Sequence, residues 1–228
     1  MPLTHSLSER NSLKQIVMTT LTKKEKLGFF TRWTLLSFGI IPVSYMVSLI
    51  IVLLVHGVFG FSQMEGGTYL SQTVMQVAGG AVIGLGAGLY QKSLLKKVFK
   101  VSWAWIYACM VGFAVTELIV CLILWRMNIN RYELRFIESN PLPEALFFAC
   151  AGLLTGFLQW PLLRRYFLRS IYWVPASTLG WGICILITYF TGMVLKGGLS
   201  ILTFIFGALL YGLITGGTLM WVLRERVL

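Results

Sequence analysis

From Trp33 onward, long apolar runs alternate with short polar segments. Six runs, at roughly 33–57, 69–90, 103–125, 145–163, 171–195 and 199–223, approach or exceed the ~20 apolar residues that a helix needs to cross a bilayer. Five carry no charged residue, and the third carries Glu117 alone. The pattern predicts an all-α polytopic bundle of six transmembrane helices. It divides the chain into an N-terminal segment, 1–32, and a transmembrane domain, 33–228. In the segment, Leu13, Ile16, Val17 and Leu21 fit one helical face. Such a face suits a short interfacial helix as well as a partly disordered tail.

Composition agrees with this reading. Of 228 residues, 57% are hydrophobic and 12% charged, against roughly 25% charged in a soluble domain. Too few charges remain to cover a water-facing surface, so the lipid bilayer is the expected surroundings. The first apolar run is too long for a cleaved signal and is expected to stay as an anchor. Pro2 stands where myristoylation needs glycine.

The charge distribution gives an orientation. With the N-terminus inside, the inner segments hold fifteen lysines and arginines, and the outer segments hold only Arg126, Arg131, Arg135 and Lys196. By the positive-inside rule, both termini are cytoplasmic. The net charge of +11 is thereby explained by topology, not by nucleic acid. Trp33, Trp103, Trp105, Trp160, Trp173 and Trp221 fall near inner helix ends and Trp125 near an outer one, as in an interfacial aromatic belt.

The chain also repeats itself. Residues 81–112 overlay 149–180 without a gap, with twelve identities among 32 positions. These include Gly84/Gly152, Gly88/Gly156, Gln91/Gln159, Leu95/Leu163, Phe99/Phe167, Trp105/Trp173 and Gly112/Gly180, while Lys96-Lys97 overlays Arg164-Arg165. The unit is a helix, a basic inner turn and a returning helix, repeated in parallel orientation. Helix six holds a further half-copy, in which Gly212 and Gly216 match Gly152 and Gly156 and Leu219 replaces the glutamine. Helix one, with Trp33 and Gly39, is the candidate returning half. Three hairpins, 2+3, 4+5 and 6+1, then give a pseudo-threefold bundle. The small-residue stripes Gly80-Gly84-Gly88, Gly152-Gly156 and Gly212-Gly216 permit close backbone approach in lipid. They place helices two, four and six at the centre and the others outside.

The pattern Gly152-x-x-x-Gly156-x-x-Gln159-Trp160, then Leu163-Arg164-Arg165 and Trp173, resembles that of poorly characterised bacterial six-helix membrane proteins. The resemblance covers roughly 81–226. It implies a bacterial inner membrane location and no particular activity. Mitochondrial carriers also have three two-helix repeats, but their Px(D/E)xx(K/R) signature is absent.

Few residues offer chemistry. Glu117 lies near the middle of its span, where a charged carboxylate costs several kcal/mol, so it is expected to be neutral or to face a polar interior. It is a candidate proton or cation site, or a neutral acid bonded between helices. Gln76, Thr155, Thr188 and Thr215 are its expected partners. Gln91 and Gln159, with Lys96, Lys97, Arg164 and Arg165, are expected to line an inner vestibule that attracts an anion such as a lipid phosphate. Basic inner turns required by topology alone are the simpler reading. The segment from Pro141 to Phe148, with Glu144, looks faintly like the Pro-x-Glu-Glu motif of membrane lycopene cyclases with one acid missing. An acid in the first turn of a helix is the simpler reading of Glu144.

The only histidines are His5 and His56, there is no aspartate, and the four cysteines form no CxxC pair. No catalytic set, metal site or cofactor is therefore expected. The leading expectation is a small carrier, channel or substrate-binding membrane subunit. An accessory subunit of a larger complex, or a homo-oligomer, and a membrane lipid or isoprenoid enzyme are the alternatives.

Overall fold

A computed structural model describes residues 22–58, 69–127, 141–194 and 201–223. These residues are almost wholly helical, with no strand among them. The elements are α1 (Lys23–Val58), α2 (Tyr69–Leu95), α3 (Ala104–Arg126), α4 (Leu142–Leu163), a 3-10 turn at Ser170–Tyr172, α5 (Trp173–Val194) and α6 (Ile201–Val222). All six α-helices include a stretch long and apolar enough to cross a membrane, as in a multi-pass integral membrane protein. The expected amphipathic stretch Leu13–Leu21 lies outside the described residues, as do the outer loops around Glu65, Glu133 and Lys196.

The first helix begins well before the apolar run at Trp33. Thr22 and Glu25 form a reciprocal cap: the Thr22 backbone N–H donates to Glu25 Oε2 at 2.7 Å, and the Glu25 N–H to Thr22 Oγ1 at 3.3 Å. A helix start of this kind satisfies two otherwise orphaned donors without any apolar residue. At 36 residues, α1 measures about 54 Å, more than the ~30 Å hydrocarbon layer. Its capped end therefore projects beyond the lipid, and the boundary expected at 32/33 falls inside a helix. Pro42 within α1 and Pro161 within α4 are tolerable, since membrane helices re-satisfy the freed carbonyls locally.

The helices pack in chain order around a ring: each touches the next, and α6 closes on α1. The expected inner layer of α2, α4 and α6 does not appear in the packing. The buried share of each span is 44% for α2, α3, α4 and α6, 56% for α5 and 28% for α1. The glycines explain why. They face a helix beside them in the ring, not one another. A Cβ on Gly84 would run into the Cys109 carbonyl of α3, and one on Gly152 would lie 3.0 Å from Ser177 C of α5. On α6, a Cβ at Gly212 would sit 2.9 Å from Thr34 Cα of α1. Close approach is thus spent between ring neighbours, and a ring results.

Candidate functional site

The interior is polar at one level and aromatic around it. Gln91 of α2 and Gln159 of α4 are both sealed from solvent, at 1% and 0% exposure. Gln159 Nε2 donates to Gln91 Oε1 at 3.1 Å. The same Gln91 oxygen accepts from Trp105 Nε1 at 2.9 Å, and Gln91 Nε2 donates to the Tyr211 hydroxyl at 2.8 Å. Gln159 Oε1 accepts from Trp173 Nε1 at 2.7 Å, while its amide also reaches Cys109 Sγ at 3.0 Å. A carboxamide has two lone pairs and two N–H groups. Gln91 thereby uses both lone pairs of its oxygen on other helices. Buried polar groups are stable only when bonded in this way.

On the remaining side, Trp33 of α1 donates through Nε1 to Thr215 Oγ1 of α6 at 3.0 Å, and Ser37 Oγ bonds the Tyr90 hydroxyl at 3.1 Å. Three of the four fully buried indoles form a chain of contacts: Trp33 and Trp173 centroids lie 6.0 Å apart, and Trp105 and Trp173 5.9 Å. Trp181 continues the filling, 4.7 Å from Tyr211 and 4.8 Å from Phe113. This level is a neutral, interlocked plug. It offers donors and acceptors to each other and no charge to a solute.

Several expectations change here. Trp33, Trp105 and Trp173 are core residues, not part of an interfacial belt; Trp103 and Trp125 remain exposed. Their indole N–H groups find partners inside the bundle, which removes the reason for lying at the interface. In α6, the residue bonded to the third indole is Thr215, one helical turn before Leu219, the expected replacement for glutamine. Glycine contacts give the same register. A Cβ on Gly88 would lie 2.9 Å from Ile106 Cα, one on Gly156 3.0 Å from Val174 Cα, and one on Gly212 2.9 Å from Thr34 Cα. In each case the residue met is the one after the tryptophan. Gly39 faces open space and has no counterpart role to Gly112 and Gly180.

The glutamines and the basic residues do not share a vestibule. Lys96 and Lys97 follow α2 on an exposed turn, and Arg164 and Arg165 follow α4 on another. The glutamines lie behind Leu95 and Leu163, each 0% exposed.

Glu117 is 5% exposed, in the body of α3. Its stem fits because α2 presents no side chain there: a Cβ on Gly80 would lie 2.7 Å from Glu117 Cγ. Of the expected partners, Thr188 and Thr215 donate to the carbonyls of Cys184 and Tyr211 in their own helices. The Thr155 hydroxyl, 3% exposed, has no hydrogen-bond partner among the described residues. It packs against Gly112, where any side chain would collide with it. Cys109, Cys121 and Cys184 are buried and Cys150 is exposed, and none of the four is in a disulfide. Glu144 stands in the first turn of α4, where a carboxylate complements the helix dipole.

The core tryptophans carry one readable signal: each glutamine precedes its indole partner by 14 residues. Tyr90, Tyr211 and Cys109 carry none, because they fall outside the identities of the repeat. Compared with known proteins, the chain matches no family model, no curated protein and no solved structure.

Proposed function

We propose that this protein is a small carrier or substrate-binding membrane subunit in which Glu117 takes up and releases a proton or a cation. The observation that carries the reading is the carboxyl itself, 5% exposed in the body of a span whose one other charged residue, Arg126, is its last. An intramembrane acid is costly to keep and serves most often as an ion or proton site. The packed indoles favour a carrier or binding subunit over an open channel, because they occupy the interior at the level of the glutamines.

On this reading the bundle consists of three hairpins, α2–α3, α4–α5 and α6–α1, in pseudo-threefold order. Support comes from the offset of 68 residues between the bonded glutamines and from the Trp33–Thr215 bond in the third hairpin. The small-residue stripes are the device that brings each hairpin together. The lysine and arginine bias supports both ends lying in the cytoplasm, and the resemblance to bacterial six-helix proteins supports an inner-membrane location.

The test is carbodiimide labelling, because these reagents modify carboxylic acids that are protonated in apolar surroundings. One adduct on Glu117, absent in Glu117→Gln and slowed by a transported cation, is the expected result. Labelling confined to loop glutamates would remove Glu117 from the mechanism. A second reading, an accessory subunit of a larger complex, draws on α1, whose span is only 28% buried. Co-purification of a stoichiometric protein partner along α1 would favour it.

A further inference from the structure

We infer that the two basic turns after α2 and α4 form one binding surface for anionic phospholipid headgroups, best matched by a lipid with two phosphates. The surface needs only that the bundle sits in a membrane and does not depend on Glu117.

The two turns are locked together. Phe99 and Phe167 meet edge to face at 5.5 Å, Phe99 and Tyr166 lie 5.1 Å apart, and the Tyr166 hydroxyl donates to the Lys100 carbonyl at 3.4 Å. Beneath them, Val98, Phe167, Leu95 and Leu163 are buried. Each turn is closed by equivalent backbone bonds, Phe99 N–H to Leu95 O and Phe167 N–H to Leu163 O, both at 3.0 Å. Lys96, Lys97 and Lys100 on one turn and Arg164 and Arg165 on the other therefore project from one rigid base, all exposed.

None of these five cations forms an ion pair with a carboxylate among the described residues. Positive charge fixed on two clamped turns, without counter-ions among the described residues, attracts phosphate, and arginine adds a two-pronged fit to its oxygens. Topology alone asks for positive charge on this side but not for clamped doublets.

The surroundings indicate a lipid source for the phosphate. Trp103 and Leu168, next to the turns, are both 64% exposed, and Leu158 is 38% exposed. Apolar side chains bordering the cations give acyl chains a surface beside the headgroup, which a soluble anion would not use. The cations fall in two doublets, Lys96-Lys97 and Arg164-Arg165, one on each turn. A diphosphatidylglycerol headgroup offers one phosphate to each.

The test is native mass spectrometry of the full chain after exchange into mixed micelles with equal phosphatidylcholine, phosphatidylglycerol and diphosphatidylglycerol. At roughly fivefold per basic residue near an anionic headgroup, Lys96→Gln/Lys97→Gln or Arg164→Gln/Arg165→Gln should cut diphosphatidylglycerol retention about thirtyfold. Lys24→Gln/Lys26→Gln, with the same loss of charge on α1, should leave it unchanged. Single Lys97→Gln and Arg165→Gln exchanges replace any double variant that does not assemble. Equal loss in the α1 variant would show bulk attraction only and overturn the site. So would retention of phosphatidylcholine to the same extent, or displacement of the lipid by millimolar inorganic pyrophosphate, which would mark a soluble-anion site.

Discussion

Replacing Gln91 by leucine keeps the side chain's approximate size and removes three hydrogen bonds to nitrogen and oxygen partners at once, from Trp105, from Gln159 and to Tyr211, besides a weak one of 3.7 Å from the Cys109 thiol. Within membranes an interhelical hydrogen bond averages about 0.6 kcal/mol and reaches about 1.7. Three bonds give about 2 kcal/mol at the mean, and stranding a buried indole N–H and a buried amide raises this toward about 4 kcal/mol. Thr215→Val removes only the bond from Trp33 at this level, so about 0.6 kcal/mol is expected for the bond, raised toward about 2 kcal/mol by the one stranded indole N–H. The assay is reversible denaturant unfolding in mixed micelles, followed by tryptophan fluorescence. The Gln91→Leu/Gln159→Leu double variant should lose less than the sum of its singles, because both singles break the one shared bond. A Gln91→Leu variant no less stable than Thr215→Val, or strictly additive singles, would refute the interlocked network.

Gly84→Ala should cost about 1–3 kcal/mol, since the added methyl meets the fixed Cys109 carbonyl. Gly39→Ala, which faces open space, should be neutral or gain up to about 1 kcal/mol from helix propensity; parallel unfolding curves check both. Brominated lipids should quench the exposed Trp103 and Trp125 but not the buried Trp33, Trp105 and Trp173, which single-tryptophan variants in bilayers would report. Thr22→Ala should weaken the start of α1 by about 1 kcal/mol. Faster amide hydrogen exchange confined to its first turn is the readout.

The helices are legible in the sequence because a charge-free run of membrane length is rarely anything but a spanning helix. The start of α1 is not legible in those runs, because Thr22 and Glu25 mark it by hydrogen bonding and apolarity is silent about that. Trp33, Trp105 and Trp173 escape a sequence reading for a different reason. A belt residue and a core residue occupy the same stretch of a helix end, and only the direction of the side chain separates them. For Trp105 and Trp173 the shared 14-residue spacing to a glutamine is the available clue, and Trp33, 182 residues from Thr215, has none. Identity alone sets the third half-copy one turn late, because Gly212-Leu-x-Thr-Gly aligns well with Gly152-Leu-x-Thr-Gly. Side-chain contacts instead pair Gly212 with Thr34 and bring Thr215 to Trp33. Glu117 stands out in the sequence by its cost alone, but its fit beside Gly80 depends on helix pairing that spacing does not encode.

The most direct test of the central claim is infrared difference spectroscopy of the reconstituted protein between acid and alkaline pH. A protonated-carboxyl band that changes with pH and disappears in Glu117→Gln is expected, while the amide bands of the two proteins coincide. Identical difference spectra for the two proteins would show that Glu117 exchanges no proton. If added cations also failed to alter the wild-type spectrum, Glu117 would be reduced to a buried structural acid.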